Sequence, residues 1–348
     1  MRDVQLSWIQ VSTFSAPGRT ARCGPLAVMA NKKHSRRTAL RTAAVGAVTG
    51  GLTLATSGPN AQAGGRRGTT TFVIVTGASG TPGGIDALSL RGHRTVGVAL
   101  PGHGAAGGQF ALDYQCPQDP VSLATRSSPM AGVGLDAYAA AAIQVVRTVA
   151  EFGPVVLYGG SMGGATLNRV GNAVPHLIDR IVYDTAFCCV DLTCPEDYFL
   201  TPEGSTTLAG NLAALVVADP AVIGAVRANY RTADPDTLAK LKEALMADAS
   251  DAEFYAMLAY LQPDESLTVG RDNSQVHPDT WGRIPRTYIR HTADRMIPIA
   301  LQDRMIAEAD RLTPHNRFDV HTVHAGHAAT TEQFDQITDI LNRLPECS

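Results

Sequence analysis

The chain has 348 residues, 45% of them apolar and 18% charged, with a formal charge of −3. That length suits one large domain or two small ones, and the apolar fraction supports a real core, which excludes wholesale disorder. No run of about 18 strongly apolar residues is present, which excludes a multi-span membrane protein. Six Cys are too few for a disulfide scaffold of this length.

The first sixty residues read as an address. Lys32, Lys33, Arg36, Arg37 and Arg41 precede a weakly apolar run from Thr42 to Ser57, and Pro59-Asn60-Ala61-Gln62-Ala63 offers an A-x-A site. Basic head, apolar middle and small-residue exit describe an export signal that is cleaved. Ser35-Arg36-Arg37-Thr38-Ala39-Leu40-Arg41 resembles the twin-arginine signal, with Ala39 where a bulky residue is usual. The alternative, a core helix or anchor, is poorly served by Gly46, Thr49, Gly50, Gly51 and Thr53. Residues 1–28 fit no signal pattern, so Met29 is a candidate start. The processed protein is expected to be secreted or held in the cell envelope without a membrane span.

Residues 1–63 hold eight of the 29 Lys/Arg and one of the 32 Asp/Glu, leaving the other 285 residues at a formal −10. An acidic body without a basic run argues against nucleic acid or an anionic membrane as partner. Cys116, Cys188, Cys189, Cys194 and Cys347 stay. In an oxidising compartment the 188/189/194 cluster is close enough to pair, and the odd count leaves one thiol free or shared between chains. No repeated C-x-x-C spacing exists, so no zinc site is expected.

Short apolar strands then alternate with helices. Thr71–Val75 is a β-branched run ending in Thr76-Gly77-Ala78-Ser79-Gly80, and Arg94–Leu100 is a second, closed by Pro101-Gly102-His103-Gly104. Leu135–Phe152 has helical spacing and stops at Gly153-Pro154. Strands are expected at Pro154–Tyr158, Asp179–Asp184, Arg286–Arg290 and Phe318–Val323, with a final helix over Glu332–Leu344. This alternation predicts an α/β fold with a mostly parallel sheet flanked by helices. Between about Thr185 and Ile284 the strand signal vanishes. Helical patterns over Leu208–Ala218, Ala221–Tyr230, Pro235–Ala247 and Ala252–Leu261 suggest an inserted helical lid. The expected organisation is a core of 64–184 and 286–348 with a cap of 185–285.

The chemistry concentrates at Ser161. Gly159-Gly160-Ser161-Met162-Gly163-Gly164 is a G-x-S-x-G run between a strand and a helix, where a tight turn holds the Ser hydroxyl out at the sheet edge. The plainer alternative is a Gly-rich turn whose Ser caps the helix. As a nucleophile Ser161 needs a base. His327 follows the last strand; His324, on or at the end of that strand, is the rival. The base in turn needs a carboxylate. Asp294 lies just past a strand, with Asp184 the alternate acid and His291 near enough to support it. The order Ser161, Asp294, His327 differs from those of chymotrypsin-like and subtilisin-like enzymes. An oxyanion also needs donors: the N–H of Met162 opens the helix after Ser161, and the loop after the first strand supplies Ala78. Ser79, whose hydroxyl could assist there, and Tyr255 of the lid are candidate substrate contacts.

Residues 71–345 resemble the α/β-hydrolase superfamily, nearest to the branch holding plant methylesterases, hydroxynitrile lyases and their bacterial esterase relatives. The resemblance is carried by Phe72–Ala78, Gly92–Gly104, the Ser161 elbow, Tyr288–Met305 around Asp294, and Gly326-His327. It implies a capped hydrolase fold and ester cleavage through an acyl-enzyme, with no metal or organic cofactor. Two departures stand out. Thr76 replaces the His usual before the oxyanion Gly, and Gly77 and Ala328 stand where the lyases carry Thr and Lys, which points away from cyanohydrin cleavage. Ser161 excludes the dehalogenases and epoxide hydrolases, which use Asp at the elbow. A cofactor-free perhydrolase or haloperoxidase would use the same triad, and a non-catalytic small-ligand receptor is a further alternative. The lid's Phe254, Tyr255, Met257 and Tyr260 suggest a small or medium apolar ester substrate, or simply pack the lid onto the core.

Overall fold

Thr71–Val75 (β1) is buried along its whole length, as expected of a strand covered on both faces. The computed structural model describes residues 68–104 and 108–344; the expected export signal, Cys23 and Cys347 lie outside them. β1 sits inside a six-stranded sheet with β2 (Arg94–Gly97), β3 (Val155–Ser161), β4 (Arg180–Ala186), β7 (Arg286–His291) and β8 (Phe318–Val323). The order is β2-β1-β3-β4-β7-β8, and every pairing is parallel. Two further strands, β5 (Ala225–Arg227) and β6 (Asp264–Ser266), form a separate antiparallel ribbon.

Alternation along the strands sorts the core into two layers. Val73, Val75, Val155, Leu157, Ile181, Tyr183 and Tyr288 pack with α3 (Leu135–Val149), α4 (Gly163–Ala173) and α9 (Ile299–Leu312). Phe72, Ile74, Val156, Tyr158, Val182 and Ile289 pack on the other side with α1 (Asp86–Leu90) and α10 (Thr331–Arg343). The helices present matching stripes: Leu135, Tyr138, Ala142 and Val146 on α3, and Leu301, Met305 and Ala309 on α9. From β1 the chain goes first to β2 on one side, then crosses to β3 on the other. The carboxyl ends of β1 and β3 therefore flank a switch point, where open α/β sheets place their ligands.

The elbow is tighter than its strand signal implies. β3 runs on through Ser161, whose backbone is left-handed at φ 52°, and its register against β4 shifts between Gly160 and Ser161. α4 starts at once, so the turn has no room for side chains. A Cβ on Gly163 would lie 2.9 Å from the Thr76 carbonyl oxygen, and one on Gly164 would overlap the Phe187 carbonyl.

Helix ends differ little from expectation, α3 stopping at Val149 and α10 spanning Thr331–Arg343. The interval 185–285 departs further from an all-helical reading. It holds α5 (Pro195–Phe199), a 3-10 turn at Ala209–Leu215, α6 (Pro220–Ile223), α7 (Pro235–Leu245) and α8 (Asp251–Tyr260), but also the β5–β6 ribbon. Ala221–Tyr230 breaks at Gly224, which caps α6 in the left-handed region at φ 70°, and then turns into β5. Charge, not apolar alternation, holds this ribbon. Its register partners Arg227 and Asp264 form a fully buried two-point pair at 2.5 and 2.7 Å, which no hydrophobic period reveals. Cys116, Cys188, Cys189 and Cys194 are free thiols, so the pairing open to the 188/189/194 cluster is not made. No described helix is long and apolar enough to cross a membrane.

Gly164→Ala should therefore cost about 3 kcal/mol or more of stability, since backbone rather than a movable side chain meets the new Cβ. Urea denaturation of the two proteins checks this, and an unchanged midpoint would rule out the close approach.

Candidate active site

The edge at the switch point gathers Ser161 from the end of β3 with side chains from the loops after β7 and β8. Ser161 Oγ lies 2.9 Å from His327 Nε2, and His327 Nδ1 lies 2.8 Å from Asp294 Oδ2. Ser161 is raised by its strained elbow. Asp294 sits in the loop between β7 and α9, and His327 in the loop between β8 and α10. The three expected residues thus form one hydrogen-bonded chain from hydroxyl to carboxylate.

Asp294 is buried, and its carboxylate is fully occupied. Oδ1 accepts the N–H groups of Met296 at 2.6 Å and Ile297 at 2.9 Å, while Oδ2 accepts His327 and the Thr185 hydroxyl at 2.5 Å. Burial pushes this carboxyl up, but the His327 charge and the hydrogen bonds from His327, Thr185 and Ile297 outweigh it and hold it below its ordinary 3.8. Thr185 carries no motif that marks it in the sequence. It lies in β4 at φ 38°, an unusual conformation for a β-branched residue, beside the register shift opposite Ser161. Its only sequence signal is its place at the end of a strand whose neighbours carry the site.

The two expected oxyanion donors border the same cavity. Ala78 and Met162 line one small pocket with Thr76, Thr166, Tyr138 and Glu265. Met162 opens α4, where the helix dipole favours negative charge. Neither N–H donates to a protein group among the described residues. The hydroxyls of Thr76 and Thr166 are likewise buried without a partner there.

The loop carrying Ala78 is clamped by residues of the 185–285 interval. Ser79, left-handed at φ 57°, donates its N–H to Glu265 at 2.6 Å, accepts the Gln262 N–H at 2.7 Å and holds the Tyr230 hydroxyl at 3.1 Å. His103 reaches the Gly80 carbonyl at 2.7 Å and Tyr138 at 2.8 Å, and Tyr138 donates to Glu265 at 2.8 Å. Ser79 is thus spent on the clamp. Glu265, Tyr230 and Gln262 lie more than 150 residues further along the chain, and only folding reveals that they touch this loop.

The rival residues go elsewhere. His324 bonds the Thr292 hydroxyl at 2.8 Å on the exposed side. Asp184 faces His291 at 2.8 Å and Tyr158 at 2.5 Å rather than His327. Tyr255 is 54% exposed and borders an outer groove with Tyr230 and Leu238, away from Ser161. Phe254 is buried in a cluster with Leu241, Leu245 and Met296, and Tyr260 is exposed. Among the described residues no cluster of three His, Cys, Asp or Glu could hold a metal.

Thr185→Val removes one donor from a buried carboxylate, so it should lower stability by about 1.5–3 kcal/mol at pH 7. Asp294, with its depressed pKa, stabilises the fold above its ordinary value and loses that contribution as pH falls through the lowered one. The Thr185→Val penalty should therefore shrink below about pH 4. Urea titrations at neutral and acid pH measure it; a penalty independent of pH contradicts the assignment.

Comparison with curated protein sequences finds no match. Among solved structures, the fold is similar to a pyrethroid hydrolase from Sphingobium faniae JZ-2, at 19% identity and TM-score 0.55 over 80% of this chain and 100% of that one. An extracellular alpha/beta-hydrolase from a Paenibacillus species matches at 20% identity and TM-score 0.55, over 78% of this chain and 97% of that one. Polyneuridine aldehyde esterase matches at 16% and 0.52, over 78% of this chain and 98% of that one. The family model described as the alpha/beta hydrolase family matches residues 72–340, and the chain belongs to that family.

Proposed function

We propose that the chain is a serine hydrolase that cleaves carboxylic esters through an acyl-enzyme. The observation that carries this reading is the chain Ser161 Oγ, His327 Nε2, His327 Nδ1, Asp294 Oδ2, with contacts of 2.9 and 2.8 Å. Ser161 attacks the ester carbonyl and gives its proton to His327. The N–H groups of Met162 and Ala78 take the oxyanion, a contribution of about 3–4 kcal/mol per donor. His327 then protonates the departing alcohol, and a water deprotonated by His327 releases the acid. Asp294 keeps the Nδ1 proton in place and stabilises the imidazolium. One similar fold is named an esterase and another a pyrethroid hydrolase, which favours an ester substrate.

A panel of p-nitrophenyl esters of varied chain length tests the reading. Ser161→Ala and His327→Ala should each lose at least about 1000-fold in kcat while staying folded, and His324→Ala should keep near wild-type turnover. Unchanged turnover in Ser161→Ala would end the hydrolase reading, and ligand binding without any acyl-enzyme burst would favour a receptor.

We also infer that the chain is exported through Arg36-Arg37 and cleaved near Ala63. Replacing both arginines by lysine should leave the protein inside the cell at its full length. Export of that double variant at the wild-type level would refute it.

A further inference from the structure

A row of polar side chains crosses a sheet face that is otherwise apolar. Tyr158 of β3, Asp184 of β4 and His291 of β7 all lie on the side packed by α1 and α10, among Val156, Val182, Ile289 and Val323. The register carries the row diagonally toward the carboxyl edge. Val182 is level with Tyr158, Asp184 stands two residues beyond it, and Asp184 pairs with Ile289, two before His291. Asp184 is 7% and His291 2% exposed. Burying such groups costs stability unless each finds a partner.

The row ends on the loop of His327. His291 Nδ1 lies 2.7 Å from the carbonyl oxygen of Gly326, the residue before His327. A carbonyl only accepts, so Nδ1 carries a proton. On the other side Nε2 lies 2.8 Å from Asp184 Oδ1, off the axis of a directed hydrogen bond, while Asp184 Oδ2 takes the Tyr158 hydroxyl at 2.5 Å. An imidazole nitrogen that close to a carboxylate forms an ion pair when the ring carries a second proton. The backbone of His291 is fixed as well, by Gln302 at 3.0 Å on both its N–H and its C=O.

We propose that His291 is a positioning residue: as a buried imidazolium clamped between Asp184 and the Gly326 carbonyl, it sets the height and angle of His327 above Ser161. The proposal rests on the assignment of His327 as the base. Gly326 has little freedom otherwise, since a Cβ there would meet the Leu245 carbonyl at 3.0 Å and the next N–H but one, that of Ala328, bonds Leu245 at 2.9 Å. The loop is thus pinned on one side by the cap and on the other by a charge. The groups facing His291 are Asp184 from β4, backed by Tyr158 from β3, the Gly326 carbonyl, and Asp294 from the β7–α9 loop. Burial pulls the His291 pKa down, and these partners together raise it above its ordinary 6.5. A raised value makes the clamp's stabilisation complete below about pH 6.5 and lost as pH climbs through the higher folded value.

The test is made on the whole protein. With 15N-labelled histidine at pH 7, the His291 ring, identified by its absence in His291→Gln, should be protonated on both nitrogens. A ring with a single protonated nitrogen overturns the proposal. His291→Gln keeps a donor but not the charge, and kcat on an ester substrate should fall about 100-fold with KM within about threefold. Wild type should show an alkaline fall in kcat as His291 deprotonates, and His291→Gln should erase it. An unchanged kcat and alkaline limb, or a kcat loss matched by loss of folded protein in circular dichroism, refutes it. If His291→Gln does not fold, Asp184→Asn replaces it and should move the alkaline limb to lower pH; an unmoved limb counts against the clamp. The nitrogen signals read the charge of His291 whether or not Ser161 is the nucleophile, so the two readings fail separately.

Discussion

One buried carboxylate organises the edge of this sheet. Asp294 takes four donors, and they come from the end of β4, the turn into α9 and the loop after β8. A charge in that position would cost several kcal/mol if any segment withdrew, so the carboxylate acts as a fastener among elements far apart in sequence. The reactive geometry is a by-product of satisfying it. His327 is aimed at Ser161 because its other nitrogen is already engaged.

The parallel sheet supplies the stage. Because every strand points the same way, all the loops that matter emerge on one edge, and the crossover between β2 and β3 opens a gap beside β1. Ser161 and the Ala78 loop occupy the two sides of that gap. Gly163 and Gly164 are what let α4 start within touching distance of β1 and of the chain after β4. Glu265, Gln262 and Tyr230 hold Ser79, and Leu245 holds Ala328, so the 185–285 interval grips both the Ala78 loop and the loop of His327.

Much of this is legible in the residues themselves. The β-branched run Thr71–Val75 names its strand because a strand buried on both faces must be apolar throughout. The elbow is legible because few sequences but glycine tolerate so tight a turn on both sides of a serine. The β5–β6 ribbon is not, since Arg227 and Asp264 look like surface charges until they are seen to neutralise each other in the interior. Thr185 is equally silent: a threonine at a strand end has many uses, and only its φ of 38° and its reach to Asp294 select one.

By itself, then, the order of residues determined the layers of the fold and the glycine-flanked turn that presents Ser161, because periodicity and local turn chemistry are written within a few neighbouring positions. Tertiary structure decided which histidine meets Ser161, which acid stands behind it, and that Asp184 pairs instead with His291. Those choices depend on distances between segments more than a hundred residues apart, or on which face of a strand a side chain leaves from. Contacts of that kind are set by packing and charge in three dimensions, and no local pattern encodes them.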